Sequence, residues 1–268
     1  MASRWFCSIV LLLSVLHVGN VVTLNIVTEP LHTGNRLSST TIKCDYEVPS
    51  TNNKRVVKTW RMLSDKTGKE ELVFSETDLK DGSGYGRFRD RVNIIGSKAD
   101  LNIARLEVAD TGDYTCEIDY YVLGESGEGE TRLEIYSLVD NVDIIEFSPG
   151  ADLVVPVGGT ATLVCTSTLA APAAKLIWFV ENENLGQGEE SITENADGTY
   201  NTRSTFVYEG KAEHHLKPLK CQSDQDPQLQ GQYKNDYVRI ISSGIWIKAS
   251  SLVMFSCVLM SLVTSVLA

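Results

Sequence analysis

The sequence predicts an all-β protein, on three observations. Short runs alternate with period two, as half-buried strands do. "TTIKCDYEV" puts Thr40, Ile42, Cys44 and Tyr46 on one face, and "ATLVCTS" does the same for Ala161, Leu163 and Cys165. Turn-forming residues break these runs at short intervals, in "DGSGYG", "VPVGG" and "NADG". No stretch has the apolar spacing of a three-turn amphipathic helix. Many short strands at regular spacing make a sandwich or a barrel.

The two ends read differently from the middle. The chain opens "MASRWFCSIVLLLSVLHVGN", with a positive Arg4 before an apolar stretch, Ile9 to Val18, too short to span a bilayer. Residues 1–22 are therefore expected to be a secretory signal peptide. Residues 242–268, "SSGIWIKASSLVMFSCVLMSLVTSVLA", end inside an apolar run. Two readings compete for them. Ala249 to Ala268 is long enough for a transmembrane helix, but its flanking charge, Lys248, lies on the side that would face outward. The small residues Ser242, Ser243 and Gly244, followed by the apolar run from Leu252, suit a glycosylphosphatidylinositol (GPI) attachment signal, with Ser242 as the attachment residue. The spacer between them is short and partly apolar for such a signal. The anchor is the favoured expectation, which places the protein on the extracellular side of the plasma membrane.

Secretion changes the meaning of the cysteines. With Cys7 in the leader and Cys257 in the tail, four remain: Cys44, Cys116, Cys165 and Cys221. An even number in an oxidising compartment implies disulfides, and four cysteines allow three pairings. Charge points the same way on partners. The chain holds 24 basic and 35 acidic residues, and Arg4 and Lys248 are the only charges in the end segments. The part between carries 22 basic against 35 acidic residues, a net of −13. A surface this acidic disfavours nucleic acid and anionic headgroups.

The middle of the chain repeats one pattern. Cys44, Trp60 and Cys116 recur in order as Cys165, Trp178 and Cys221. "ADTGDYTC" places Asp110 and Tyr114 ahead of Cys116, and "RFRDRVNII" supplies Arg91 before alternating Val92 and Ile94. On these residues the chain resembles the immunoglobulin superfamily over nearly all of 24–241. The resemblance implies two tandem immunoglobulin-like β-sandwiches, each with two sheets joined by a disulfide that packs on a tryptophan. It implies the pairings Cys44–Cys116 and Cys165–Cys221, a tyrosine corner at Tyr114, and a structural pair between Asp110 and Arg91. The longer first unit, residues 24–136, resembles a variable-type domain. The second, residues 141–241, resembles a constant-type domain in which Leu219 stands where the corner tyrosine belongs. The linker "SLVDNV" lacks glycine and proline and is expected to be semi-rigid.

Nothing in the sequence suggests an enzyme, and no catalytic, cofactor-binding or metal-binding residue is expected. His214 and His215 are adjacent, so on a strand they point to opposite faces; they read as solvated residues of a connection. "ENENLG" places Leu185 where a calcium ligand would be needed. Function is expected on a surface. With Trp60 and Cys116 inward, alternation turns Arg61, Glu117, Asp119 and Tyr121 outward; Leu133 and Ile135 inward turn Arg132 and Glu134 outward. Phe74 is placed at the rim of that face. These seven residues are the candidate partner-binding set. The resemblance extends to two-domain cell-surface proteins: junctional adhesion molecules, nectins and costimulatory ligands. It implies recognition of a surface protein on the same or an opposing cell, homodimers included. Two alternatives are a soluble immune recognition molecule shed from the surface and a carbohydrate-binding lectin. The acids on the strand carrying Cys116 disfavour anionic sugars. The sequence contains no N-glycosylation sequon.

Overall fold

A computed structural model describes residues 24–48, 55–77, 79–225, 229 and 232–244. The expected leader and the tail beyond Gly244 lie outside the described residues.

Eleven strands build the first sandwich: β1 (Ile26–Thr28), β2 (Leu31–Asn35), β3 (Thr40–Ile42), β4 (Cys44–Tyr46), β5 (Val56–Ser64), β6 (Glu70–Thr77), β7 (Lys80–Gly84), β8 (Val92–Ile95), β9 (Asp100–Ile103), β10 (Gly112–Tyr120) and β11 (Glu125–Tyr136). The front sheet runs β2-β11-β10-β5-β6-β7, with β2 parallel to β11. The back holds β3-β9-β8 and the pair β1-β4. Pro30 lies between β1 and β2, where the chain leaves one sheet for the other. Gly127 and Gly129 let β1 lie close against β11: a Cβ on Gly127 would sit 2.3 Å from the Leu24 carbonyl oxygen, and one on Gly129 2.8 Å from the Ile26 side chain.

Nine strands build the second: β12 (Val142–Ile144), β13 (Asp152–Pro156), β14 (Thr160–Ala170), β15 (Lys175–Val180), β16 (Glu183–Gln187), β17 (Glu189–Glu194), β18 (Tyr200–Glu209), β19 (Pro218–Asp224) and β20 (Asn235–Ser243). They form the sheets β12-β14-β18-β17 and β13-β20-β19-β15-β16.

Each sandwich is pinned through its centre. Disulfides join Cys44 to Cys116 and Cys165 to Cys221, each with Cα atoms 6.5 Å apart. Trp60 pairs directly with Cys116 across β5 and β10, is fully buried, and donates its indole N–H to the Ala99 carbonyl at 2.8 Å. Trp178 pairs with Cys221, stacks on Phe206 at 5.1 Å and donates to Ser204 Oγ at 3.3 Å. Both pairings and both tryptophans stand as the family resemblance implies.

The lower edge of the first sandwich is closed by charge. Arg91 donates to both oxygens of the fully buried Asp110, at 2.9 and 2.8 Å, and to the Arg105 carbonyl at 2.8 Å. Arg87 joins Asp110 from the other side and reaches Glu71 at 3.0 Å. The Tyr114 hydroxyl donates to the Asp110 carbonyl at 2.9 Å, which is the tyrosine corner. Asp110 is thus a structural acid with its lone pairs occupied.

The second sandwich solves the same corner differently. Leu219 is fully buried, and the Tyr208 hydroxyl meets His214 Nδ1 at 3.0 Å while His214 Nε2 meets Glu183 at 3.0 Å. His214, only 2% exposed, is therefore a buried polar link rather than the solvated residue its position suggested. His215 accepts the Ser242 N–H at 3.1 Å. The histidines sit at a 3-10 turn and its exit, not on a strand, so alternation did not apply to them.

The segment after β11 is tied down. Ser137 and Ala171 exchange backbone hydrogen bonds, Val139 N–H bonds to Gln225, and Asp140 N–H bonds to the Thr168 carbonyl. Val139 and Val142 belong to the second core.

Two outcomes are expected of the first sandwich. Asp110→Asn leaves buried Arg91 without its counter-charge and should cost about 3–5 kcal/mol in equilibrium denaturation. Burial pushes the Tyr114 phenol well above its ordinary value, so the unfolded chain loses this proton first, near pH ~10. Stability then falls as pH rises from that point. Tyr114→Phe should cost about 1 kcal/mol at neutral pH and flatten the alkaline limb of the stability profile.

Candidate functional site

The inter-sheet pin sets which way the front sheet faces. Cys116 and Trp60 point inward, so their neighbours on β10 and β5 point outward in matched pairs: Asp113 beside Leu63, Thr115 beside Arg61, Glu117 beside Thr59. On β11 the outward partners of Asp113, Thr115 and Glu117 are Arg132, Glu130 and Glu128. Arg61, Glu117, Asp119, Arg132 and Glu134 therefore share one face. Tyr121 is half exposed in the turn between β10 and β11 rather than on the strand.

Ion pairs occupy both arginines of this face. Arg61 lies 2.6 Å from Glu117 and 3.7 Å from Glu70. Arg132 makes a two-pronged contact with Asp65, one arm at 2.9 Å, and reaches Asp113 at 3.2 Å and Glu134 at 3.8 Å. The hydrogen bonds to Asp65 hold its guanidinium above even the usual arginine value. Glu134 also accepts the Tyr136 hydroxyl at 2.9 Å.

Phe74 is not on this face. It is 3% exposed and belongs to the first core. Strict alternation along β6 fails because of a register shift: Arg61 pairs with Leu72, but Trp60 pairs with Phe74. The shift turns Phe74 to the tryptophan's side, where its ring covers Gly82; a Cβ there would lie 2.2 Å from the ring. Leu72 takes the outward place and is 38% exposed.

Sequence reasoning also missed Leu63, Val122, Leu123, Glu128 and Glu130, all exposed. Carrying the period back from Leu133 finds the two acids, and carrying it on from Met62 finds Leu63. Nothing in the sequence announces the bulge that exposes Leu72.

The proposed lipid-attachment residue, Ser242, lies inside β20. It is 1% exposed, and its hydroxyl donates to the Lys211 carbonyl at 2.8 Å. Of the three small residues only Ser243 and Gly244 are exposed. Strand pairing of Ser242 with Val155 removes it from reach, which the sequence pattern did not show.

Among the described residues no cluster of histidine, cysteine and carboxylate side chains could hold a metal ion. No described helix is long and apolar enough to cross a membrane. A concavity of about 480 Å³ is lined by Lys66, Val108, Arg132, Pro172, Glu194 and Tyr200, among others. Its cations are paired, Arg132 with Asp65 and Lys66 with Glu194 at 4.0 Å.

Residues 27–136 match the immunoglobulin V-set domain, and residues 147–232 match the CD80-like C2-set immunoglobulin domain. No curated protein matches the chain. Solved structures share the architecture. Bovine butyrophilin is 19% identical with a TM-score of 0.63, covering 80% of this chain and 96% of that one. Domains D1–D2 of Rst are 18% identical with a TM-score of 0.59, covering 83% and 100%. The ectodomain of mouse nectin-like molecule 4 is 16% identical with a TM-score of 0.54, covering 80% and 67%. At these identities the likeness is one of fold.

The two β6 side chains should separate in experiment. Phe74→Ala is expected to lower unfolding free energy by about 3–5 kcal/mol. Leu72→Ala should stay within about 0.5 kcal/mol, and denaturant titration distinguishes the two.

Proposed function

Because the chain belongs to the immunoglobulin superfamily, we propose that it is a cell-surface recognition protein that binds another protein through the front sheet of its first sandwich. The observation that carries this reading is the outward face itself. It combines the exposed side chains of Leu63 and Leu72 with a central Arg61–Glu117 pair, and it continues into the exposed turn Tyr121-Val122-Leu123. Apolar anchors ringed by polar groups are what a docking patch needs. Strands hold Leu63, Leu72, Arg61 and Glu117 in place before a partner arrives, so little ordering entropy is lost at these side chains on binding.

In this reading residues 1–22 direct secretion and are removed. The C-terminal apolar segment serves as a lipid-attachment signal, with the attachment point at Ser243–Gly244, since Ser242 is enclosed in β20. Phosphatidylinositol-specific phospholipase C should release it from cells; retention on a surface that releases other anchored proteins would argue for a membrane span.

The test of the front sheet is a charge swap on the full chain displayed on cells. Arg61→Glu combined with Glu117→Arg keeps the ion pair and inverts its direction. Stability should change by no more than about 0.5 kcal/mol. Binding to cell-surface ectodomains, or cell aggregation, should fall about tenfold or more. Unchanged binding would remove the front sheet from the mechanism.

A further inference from the structure

We propose that the partner is a protein with a basic docking face, and that the chain does not pair with itself through this sheet. The inference rests on the front-sheet reading above. Its ground is how charge is divided across the face. At the end near the Tyr121 turn, the outward positions of β10 and β11 carry Glu117, Asp119, Glu128 and Glu130. Glu117 and Glu128 stand directly opposite each other on adjacent strands, a like-charge pairing that weakens a sheet. Among the described residues Arg61 is the cation paired with one of these four acids, and Glu117 and Glu70 already engage it. Arg132 is held at the other end by Asp65, Asp113 and Glu134. Among the described residues, no cation lies within ion-pair distance of Asp119, Glu128 or Glu130.

Three carboxylates with no ion pair among the described residues therefore sit beside the apolar turn Tyr121-Val122-Leu123, whose residues are 47%, 44% and 56% exposed. A second copy would meet this face with the same face. A two-fold interface sets the acidic end either against itself or against the Arg132 end, where Asp65, Asp113 and Glu134 outnumber the arginine, so acids would oppose acids either way. Like charges across an interface are strongly unfavourable, and the −13 net charge of residues 21–244 adds long-range repulsion. Anionic glycans are refused for the same reason. A surface presenting lysine or arginine around an apolar pocket satisfies both halves of the patch. The turn fills the pocket, and the acids pair with the basic rim and speed the encounter.

The test uses the full chain on cells, with bead-borne recombinant cell-surface ectodomains of graded charge as probes, and two-colour cells expressing the chain to read self-association. Glu128→Lys with Glu130→Lys alters exposed side chains that make no ion pair with any described residue. The expected result is binding to basic ectodomains, lost about tenfold or more in the reversed variant. The same binding should weaken steeply between about 0.05 and about 0.5 M salt, as screening shortens. Two-colour wild-type cells should not aggregate. Aggregation of wild-type cells that the variant abolishes would overturn the proposal in favour of self-pairing. So would binding that survives reversal and salt but is lost in the Arg61/Glu117 swap; the front-sheet reading would then stand without the basic partner. Binding indifferent to both variants would overturn the front-sheet reading as well. Binding removed by deglycosylating the beads would point to a neutral glycan, and a panel without any basic binder would also refute the inference.

Discussion

The inward direction of Cys116 is the constraint on which the first sandwich depends. The disulfide to Cys44 and the apposed ring of Trp60 leave one parity for β10, and a strand has only two. Once that side is set, the pairings to β5 and β11 carry the same parity across three strands. Thus the residues that make the core and those that make the outer face follow from a single buried contact. A one-residue slip would exchange the two sets, burying Glu117 and Asp119 and exposing Ile118. The cost of burying unpaired carboxylates rules that alternative out.

Charges in this protein serve two separate ends. Asp110, Arg91 and Arg87 close the bottom of the first sandwich, where each oxygen of the Asp110 carboxylate accepts two hydrogen bonds. Those groups are spent on structure. On the outward face of β5, β10 and β11 the arginines are likewise engaged, but the acids outnumber them. Acids are in surplus at both ends of the face, but those without an ion pair among the described residues, Asp119, Glu128 and Glu130, lie together at one end. This asymmetry distinguishes a face that can attract a partner from an ordinary solvated sheet, in which mixed charges cancel locally.

The second sandwich shows how a shared architecture tolerates different chemistry. Where the first domain uses a tyrosine hydroxyl and a backbone carbonyl, the second links Tyr208, His214 and Glu183 across β18, the following turn and β16. The hydrogen bonds satisfy buried polar atoms in both cases, and burial of Leu219 fills the space left by the missing ring. The requirement is the closed corner, not the residue that closes it.

Much of this was legible in the amino-acid sequence. Alternating runs such as Thr40–Tyr46 specify half-buried strands, and the repeated cysteine and tryptophan order carries the family resemblance that implies two sheets joined by a disulfide. The same periodicity located Arg61, Glu117, Asp119, Arg132 and Glu134 on one face. Tertiary structure alone decided the rest. A register shift at Trp60 and Arg61 turned Phe74 into the core and Leu72 out, since a bulge depends on contacts across strands that no local pattern encodes. Likewise, His214 and Ser242 became buried through neighbours remote in sequence, Glu183 and Lys211. Sequence by itself determined parity wherever strands run regularly. Only the fold decided which charges find partners, because pairing depends on distances between strands and not on spacing along them.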